Sequence, residues 1–222
     1  QGLPSGSVVM AGHQLAGRGR FPERKWVSAP GESLAFSVFF RLEEEKPLTS
    51  SLPLQVGLAV ALALEKTFEL EPAVKWPNDV YLKNRKVAGI LLESRDERLF
   101  IGVGVNLGPK SYPKELKKTA VSLAEAGCSV QPEQLLLPVL AELKRWLFSD
   151  DWKEELEKRL YLKGKVITLV SGPPNEEASL DGEIIGIEED GCLLLATGTG
   201  ETRSFAAGEI RYTPPKKSFF GR

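Results

Sequence analysis

The sequence predicts an α+β fold in two parts, a larger unit of strands and helices followed by a small β-barrel. Three observations predict it. Up to about residue 160, short segments of period-two or apolar character alternate with two long helical stretches. After Gly164 five short β-prone segments follow one another with no helix between them. The 222 residues, 42% of them hydrophobic, suffice to bury one large core and a second small one without covalent staples.

In chain order, Ser7 to Met10 is a short apolar strand, and the glycine- and arginine-rich stretch from Gly12 to Trp26 reads as a loop. Leu34 to Phe40 alternates Leu34, Phe36, Val38 and Phe40 with Ala35, Ser37 and Phe39, so it is a strand whose second face is partly covered. Ser51 to Leu70 predicts a helix, with Ser51 available to cap it and Pro53 in its first turn. Val74–Lys75, Val80–Leu82, Val87–Glu93 and Leu99–Val105 are strands, and Asn84-Arg85 is the expected hairpin turn between the second and third. Glu133 to Leu160 is mostly helical, kinked near its start by Pro138. The five later strands are Lys165–Val170, Gly182–Glu188, Cys192–Ala196, Glu201–Phe205 and Glu209–Tyr212, with Asp190-Gly191 a hairpin turn. The boundary falls near residue 163, separating 1–163 from 164–222. The Pro- and Lys-rich tail from Pro214 is expected to be loose.

Charge and cysteine usage exclude several classes. Lys+Arg number 29 against 30 Asp+Glu, a balance that argues against a dedicated nucleic-acid binder. Cys128 and Cys192 are far apart and outside any CxxC, which fits reduced thiols in a cytoplasmic protein better than a disulfide framework or zinc site. The longest apolar run, Val56 to Leu64, is too short to span a bilayer, and no signal peptide precedes it. Neither nucleic acid nor membrane is therefore an expected partner. The chain begins at Gln1 rather than Met, so the natural N-terminal part is expected to be missing.

Four segments carry the chemistry. In Gly17-Arg18-Gly19-Arg20 the glycines allow close backbone approach and the arginines offer charge-assisted bonds to phosphate or carboxylate, with Trp26 nearby as a stacking surface. A solvated basic turn would carry the same residues. In Lys75-Trp76-Pro77-Asn78-Asp79 the proline stiffens a turn after a strand, Lys75 offers charge to phosphate, and Asp79 is a hard oxygen ligand suited to Mg²⁺. A purely structural turn is the alternative. Lys86 precedes an apolar strand in which Gly89 signals a bulge or a close backbone approach. In Ile101-Gly102-Val103-Gly104-Val105-Asn106 the glycines let another group pack on the strand. Glycines at 102, 104 and 108 miss the G-x-G-x-x-G spacing, so a dinucleotide loop is discounted. His13, the single histidine, is expected on a surface loop. Glu43-Glu44-Glu45 and Asp150 to Glu157 read as solvated faces, and Trp146 and Trp152 as packing residues.

In this order, GRGR, KWPND, K-x-AGI-x-x-E and G-x-G-x-N resemble the biotin protein ligases, over nearly the whole chain from about Ser5 to Tyr212. The resemblance implies a mixed β-sheet flanked by helices, of the class II synthetase and biotin–lipoate ligase kind, with an SH3-like C-terminal barrel. It implies an enzyme that uses ATP and Mg²⁺ to form biotinyl-5′-AMP and then biotinylates a lysine of a biotin carboxyl carrier domain. It allows a homodimer. Catalytic roles fall by resemblance on Lys86, Arg20 and Lys75. Biotin contacts fall on Gln14, Arg18, Gly19, Arg20, Lys86, Gly89 and Ile90. ATP contacts fall on Arg18, Arg20, Trp26, Lys75, Asn78, Asp79 and Asn106, with Asp79 also at the metal. Ala120-Val121-Ser122-Leu123 resembles a segment that folds over the adenylate. The family places an S-T-N motif upstream of GRGR, and none of the 16 residues before Gly17 reads so; the loop before Trp26 is one residue longer than the common pattern. The rivals are a lipoate or octanoate ligase or transferase on the same fold, and a non-catalytic biotin sensor.

Overall fold

Period-two burial builds the central sheet. In β4 (Ser33–Arg41) Leu34, Phe36 and Val38 enter the core, while Ala35 and Phe39 are also buried and Ser37 is exposed, as the partly covered second face required. The computed structural model describes residues 2–21, 25–42, 50–172 and 178–212. The acidic run 43–45, positions 22–24 of the loop before Trp26 and the tail from Pro214 lie outside them.

The first sheet has six strands. β1 (Ser7–Ala11) pairs with β4, and the later strands are β5 (Ala73–Lys75), β6 (Asp79–Leu82), β7 (Arg85–Arg95) and β8 (Arg98–Asn106), in the order β1-β4-β8-β7-β6-β5. All ladders between these strands are antiparallel. Among the described residues, the parallel pairing of the expected mixed sheet is confined to two isolated bridges, Val74 with Leu160 and Lys86 with Ala120. The β6–β7 turn sits one residue earlier than expected. Lys83 and Asn84 both take positive φ, 50° and 62°, which the tight turn matching strand twist requires at its two central positions. Within the loop after β1, β2 (Gly17–Arg18) and β3 (Lys25–Trp26) form a two-stranded ladder that the loop reading did not include.

Helix α1 (Leu52–Phe68) is buried along every residue from Leu54 to Leu64. A helix apolar on all sides must be covered on all sides. The sheet covers one side, and α2 (Pro132–Trp146) and α3 (Trp152–Glu157) cover the other. Ser51 stands at the cap position, but its hydroxyl accepts from the Gln55 side chain at 3.2 Å and makes no cap bond. Gln55 Oε1 in turn accepts from the Phe148 N–H at 2.7 Å. That bond holds the break between α2 and α3, where Phe148 takes φ 64°. The single kinked helix expected over 133–160 is thus two helices, broken at 147–151, while Pro138 lies inside α2. Asp150 to Glu157 is not a wholly solvated face either, because Trp152 and Leu156 are buried against α1. No helix among the described residues is long and apolar enough to cross a membrane.

The second sheet contains β9 (Val166–Ser171), β10 (Ala178–Ile187), β11 (Leu193–Thr197), β12 (Thr202–Phe205) and β13 (Glu209–Arg211), in the antiparallel order β12-β11-β10-β9-β13. Among the described residues no ladder joins β12 to β13. The β10–β11 turn is built at Asp190-Gly191. Gly191 has φ 93°, and the Asp190 carboxylate accepts from the Cys192 N–H at 2.9 Å. This turn is wedged against the first unit. A Cβ at Gly191 would lie 2.3 Å from Ser51 N, and the buried Trp76 indole donates to the Gly191 carbonyl at 3.0 Å.

Candidate active site

Alternation in the strands makes one sheet face bulky and the other bare. Ile101, Val103 and Val105 of β8 pack in the core, so Gly102 and Gly104 lie on the opposite face, beside Gly89 of β7 and Ala35 of β4. The bare face receives the Trp26 indole. A Cβ at Gly104 would fall 2.6 Å from two ring atoms of Trp26, and one at Gly89 would fall 3.4 Å from the ring and 3.0 Å from Lys86 Nζ. The group that the strand glycines make room for is therefore an aromatic side chain of this protein. Trp26 Nε1 is buried with no hydrogen-bond partner among the described residues. Beside it opens a cleft of about 770 Å³, a volume suited to a small-molecule ligand.

The β5–β6 hairpin brings Lys75 opposite Asp79 and sets its turn against β7. Asn78 Nδ2 donates to the Ile90 carbonyl at 2.7 Å, and the Ile90 N–H donates to the Asn78 carbonyl at 2.9 Å. Asp79 Oδ1 is buried and lies 2.6 Å from Lys86 Nζ, in an ion-pair geometry rather than an aligned hydrogen bond. Lys75 Nζ donates to the Tyr81 hydroxyl at 3.2 Å and stands 4.9 Å from the ring centroid, and Tyr81 packs on Tyr161 with centroids 4.8 Å apart.

The arginine loop closes the other side. A Cβ at Gly17 would meet the Trp26 carbonyl at 2.4 Å, so the small β2–β3 ladder demands glycine there. Arg18 pairs with Glu93 at 3.1 Å across an exposed gap. Arg20 Nη2 donates to the Gly208 carbonyl at 2.9 Å and its guanidinium lies 4.7 Å from the Phe21 ring centroid. The loop thereby reaches the second sheet, whose Gly208, Glu209 and Ile210 also line the cleft.

Comparison with known proteins decides the family. Residues 1–109 match the model of the biotin/lipoate A/B protein ligase family, and residues 164–211 match that of the biotin protein ligase C-terminal domain. The chain is 36% identical to a biotin--[acetyl-CoA-carboxylase] ligase of Paracoccus denitrificans, over 99% of this chain and 92% of that protein. The chain belongs to the biotin protein ligase family. It is 31% identical to the bifunctional ligase/repressor BirA of Escherichia coli K12, over 97% of this chain and 69% of BirA. Its structure resembles that of the biotin protein ligase from Aquifex aeolicus in complex with biotin and ATP, with a TM-score of 0.83 and 32% identity over 95% and 90% of the two chains. The family is one of enzymes, and this chain is a ligase.

In this ligase the cleft gathers all twelve residues singled out from the sequence: Gln14, Arg18, Gly19, Arg20, Trp26, Lys75, Asn78, Asp79, Lys86, Gly89, Ile90 and Asn106. His13 is exposed and does not line it. Two side chains are engaged otherwise than a direct nucleotide contact would suggest. Asn78 donates into β7, and the buried Asn106 amide donates to the carbonyls of Lys86 at 3.3 Å and Val121 at 3.2 Å. Asn78 thus holds β7 at Ile90, and Asn106 holds it at Lys86. The sequence reading missed the wall formed by Ser111, Tyr112, Pro113 and Leu116, and the contribution of 208–210. Tyr112 donates its hydroxyl to Glu125. Burial, then that hydrogen bond and the Glu125 charge, push the Tyr112 phenol up to about 12. Burial works to raise the Glu125 carboxyl, but bonds from Tyr112 and Ser122 and the Arg85 charge outweigh it, leaving the carboxyl below its ordinary value. The only local trace of this wall was the tyrosine-proline pair after Gly108-Pro109, which reads simply as a turn.

Proposed function

We propose that this ligase activates biotin with Mg·ATP to biotinyl-5′-AMP and transfers biotin to a specific lysine of a biotin carboxyl carrier protein. The observation that carries the reading is the convergence of Lys86, Asp79, Lys75, Arg18 and Arg20 on one cleft beside the Trp26 ring. In the first step the biotin carboxylate attacks the α-phosphate and pyrophosphate leaves. Lys86 and Lys75 offset the negative charge that gathers there. In the second, the carrier lysine attacks the mixed anhydride and AMP leaves. Gln14, Gly19, Gly89 and Ile90 shape the biotin end, and Trp26 the adenine end. Asn78 and Asn106 act from behind by fixing the strand that presents Lys86.

Asp79 fits a site for Mg²⁺, because a single buried carboxylate oxygen suits an ion completed by substrate phosphates and water. Among the described residues the one cluster of three acid or thiol groups, Glu188, Asp190 and Cys192, is not in the cleft. When bound, the ion would neutralise phosphate charge. We further read 164–222 as a separate SH3-like module after a catalytic unit of 1–163, and the protein as cytoplasmic.

The deciding experiment is pyrophosphate exchange with biotin, lipoate or octanoate as the acid. Exchange driven by biotin alone is expected, and exchange driven by lipoate or octanoate instead would transfer the reading to the related ligases. Within the same assay Arg20→Gly should still form adenylate, since the charge at phosphorus is met by the lysines. The variant loses its tie to Gly208 and adds backbone freedom to the loop. It should therefore release biotinyl-AMP faster and label bystander proteins. Retention of adenylate for as long as in the wild type would deny Arg20 a closing role.

A further inference from the structure

Lys75, Asp79 and Lys86 line the cleft together. Lys75 stands opposite Asp79 in the hairpin register, yet Asp79 Oδ1 lies 2.6 Å from Lys86 Nζ. Lys75 Nζ donates to the Tyr81 hydroxyl at 3.2 Å and lies 4.9 Å from the centroid of its ring. A neutral hydroxyl and a ring face orient an ammonium without cancelling its charge. Asp79 and Tyr81 alternate with the buried Val80 and Leu82, so both leave the face of β6 turned away from the core.

Tyr81 is braced in its turn by the segment that joins the two sheets. Residues 159–161 lie along the outer edge of β5, the last strand of the first sheet. The Val74 N–H donates to the Arg159 carbonyl at 2.8 Å, and the Tyr161 N–H donates to the Val74 carbonyl at 2.9 Å. Leu160 is buried in the core, and the Arg159 guanidinium pairs with Glu65 of α1 at 2.7 Å. The Tyr161 ring packs on Tyr81 with centroids 4.8 Å apart and planes inclined by 36°. Burial, then the neighbouring Tyr81 and Tyr212 phenols, push the Tyr161 phenol above its ordinary value, so it serves as a neutral ring. At Gly164, whose N–H donates to the Ile184 carbonyl at 2.8 Å, the chain enters the second sheet. Lysine carries its charge on a flexible stem, and a small misplacement of a group that meets the transition state lowers turnover. We propose that Tyr81, braced by the Tyr161 ring of the connecting segment, positions the Lys75 ammonium for the phosphates of ATP. The inference rests on the adenylating reading above. Neither tyrosine touches a reacting atom in this scheme, so both are positioning residues.

The test is Tyr81→Phe in the full chain, read by biotin-dependent pyrophosphate exchange with and without Lys75→Ala. Tyr81→Phe keeps the ring pair and loses the hydroxyl. Turnover should fall about tenfold, with the KM for biotin within about twofold of wild type. Lys75→Ala lowers exchange on its own, and the remainder, carried by Lys86, is read at high enzyme concentration. In that background Tyr81→Phe should cost less than about twofold, because a positioning residue has nothing left to position. Tyr161→Ala should lower turnover about threefold through the same lysine, and Tyr161→Phe, which keeps the ring, should restore it. Unchanged turnover in Tyr81→Phe overturns the inference. So does an equal fold-loss with and without Lys75, which would mark Tyr81 as support for the hairpin as a whole. Wild-type turnover in Tyr161→Ala overturns the brace from the connecting segment. A wild-type chain that shows no biotin-dependent exchange overturns the adenylating reading itself, a result separate from any of those.

Discussion

Replacing Lys86 with alanine is expected to lower biotin-dependent pyrophosphate exchange by about 10²–10³-fold, equivalent to about 2.7–4 kcal/mol of transition-state stabilisation. Lys86 Nζ lies 2.6 Å from Asp79 Oδ1, at the point where the bare sheet face, the β5–β6 hairpin and the wall meet. It approaches from over Gly89, whose missing side chain leaves it room. In the proposed reaction its charge moves from the carboxylate of Asp79 to the phosphorus-bound oxygens, where negative charge accumulates only as the bond forms. The fold should survive. The backbone of Lys86 makes its own bonds to Thr119 and Val121, and a part-exposed ion pair is worth about 0–1 kcal/mol. Denaturation and exchange kinetics on the same preparation check both halves. Exchange within threefold of wild type would remove Lys86 from the α-phosphate.

The largest stability effect is expected at Gly191, outside the cleft. Gly191→Ala should destabilise the protein by about 2–5 kcal/mol, made of about 1–2 for an L-residue at left-handed φ and about 1–3 for forced displacement of packed neighbours. The atoms a Cβ would meet are main-chain atoms of Ser50 and Ser51 at 2.3–2.5 Å, which cannot rotate away as a side chain would. Gly200→Ala is the control. Its φ of 83° is similar, but nothing lies within 4 Å of its Cβ position. Urea midpoints for the two variants separate backbone strain from the wedge. Equal losses in both would show that the turn does not press on α1.

Elements were legible where the signal is local. The alternation in 34–40, the unbroken apolar run of α1 and the Asp190-Gly191 turn each leave a pattern within a few residues. That the named positions would share one cleft was legible because they sit in short motifs, each of which reaches it. What sequence could not carry was pairing across distance. Gln55 looks like any polar residue in a helix until Phe148 is brought to it across 93 positions. The same holds for Arg20 with Gly208 and Tyr112 with Glu125. The helix over 133–160 was read as continuous because its break is stabilised from α1, not by a glycine or proline at 147–151.

The Trp76 indole on Gly191 and the Arg20 guanidinium on Gly208 make the second sheet a thermodynamic partner of the cleft. Trp76 belongs to the same hairpin as Lys75 and Asp79, so the energy that keeps the β10–β11 turn in place also keeps those two charges in place. Linkage then runs in both directions. A ligand that draws the arginine loop shut is expected to stabilise the far strands of the second sheet, and damage to a remote turn is expected to weaken substrate affinity. Substitutions in 188–192 that spare every charged group in the cleft are therefore expected to change ligand affinity as well as stability.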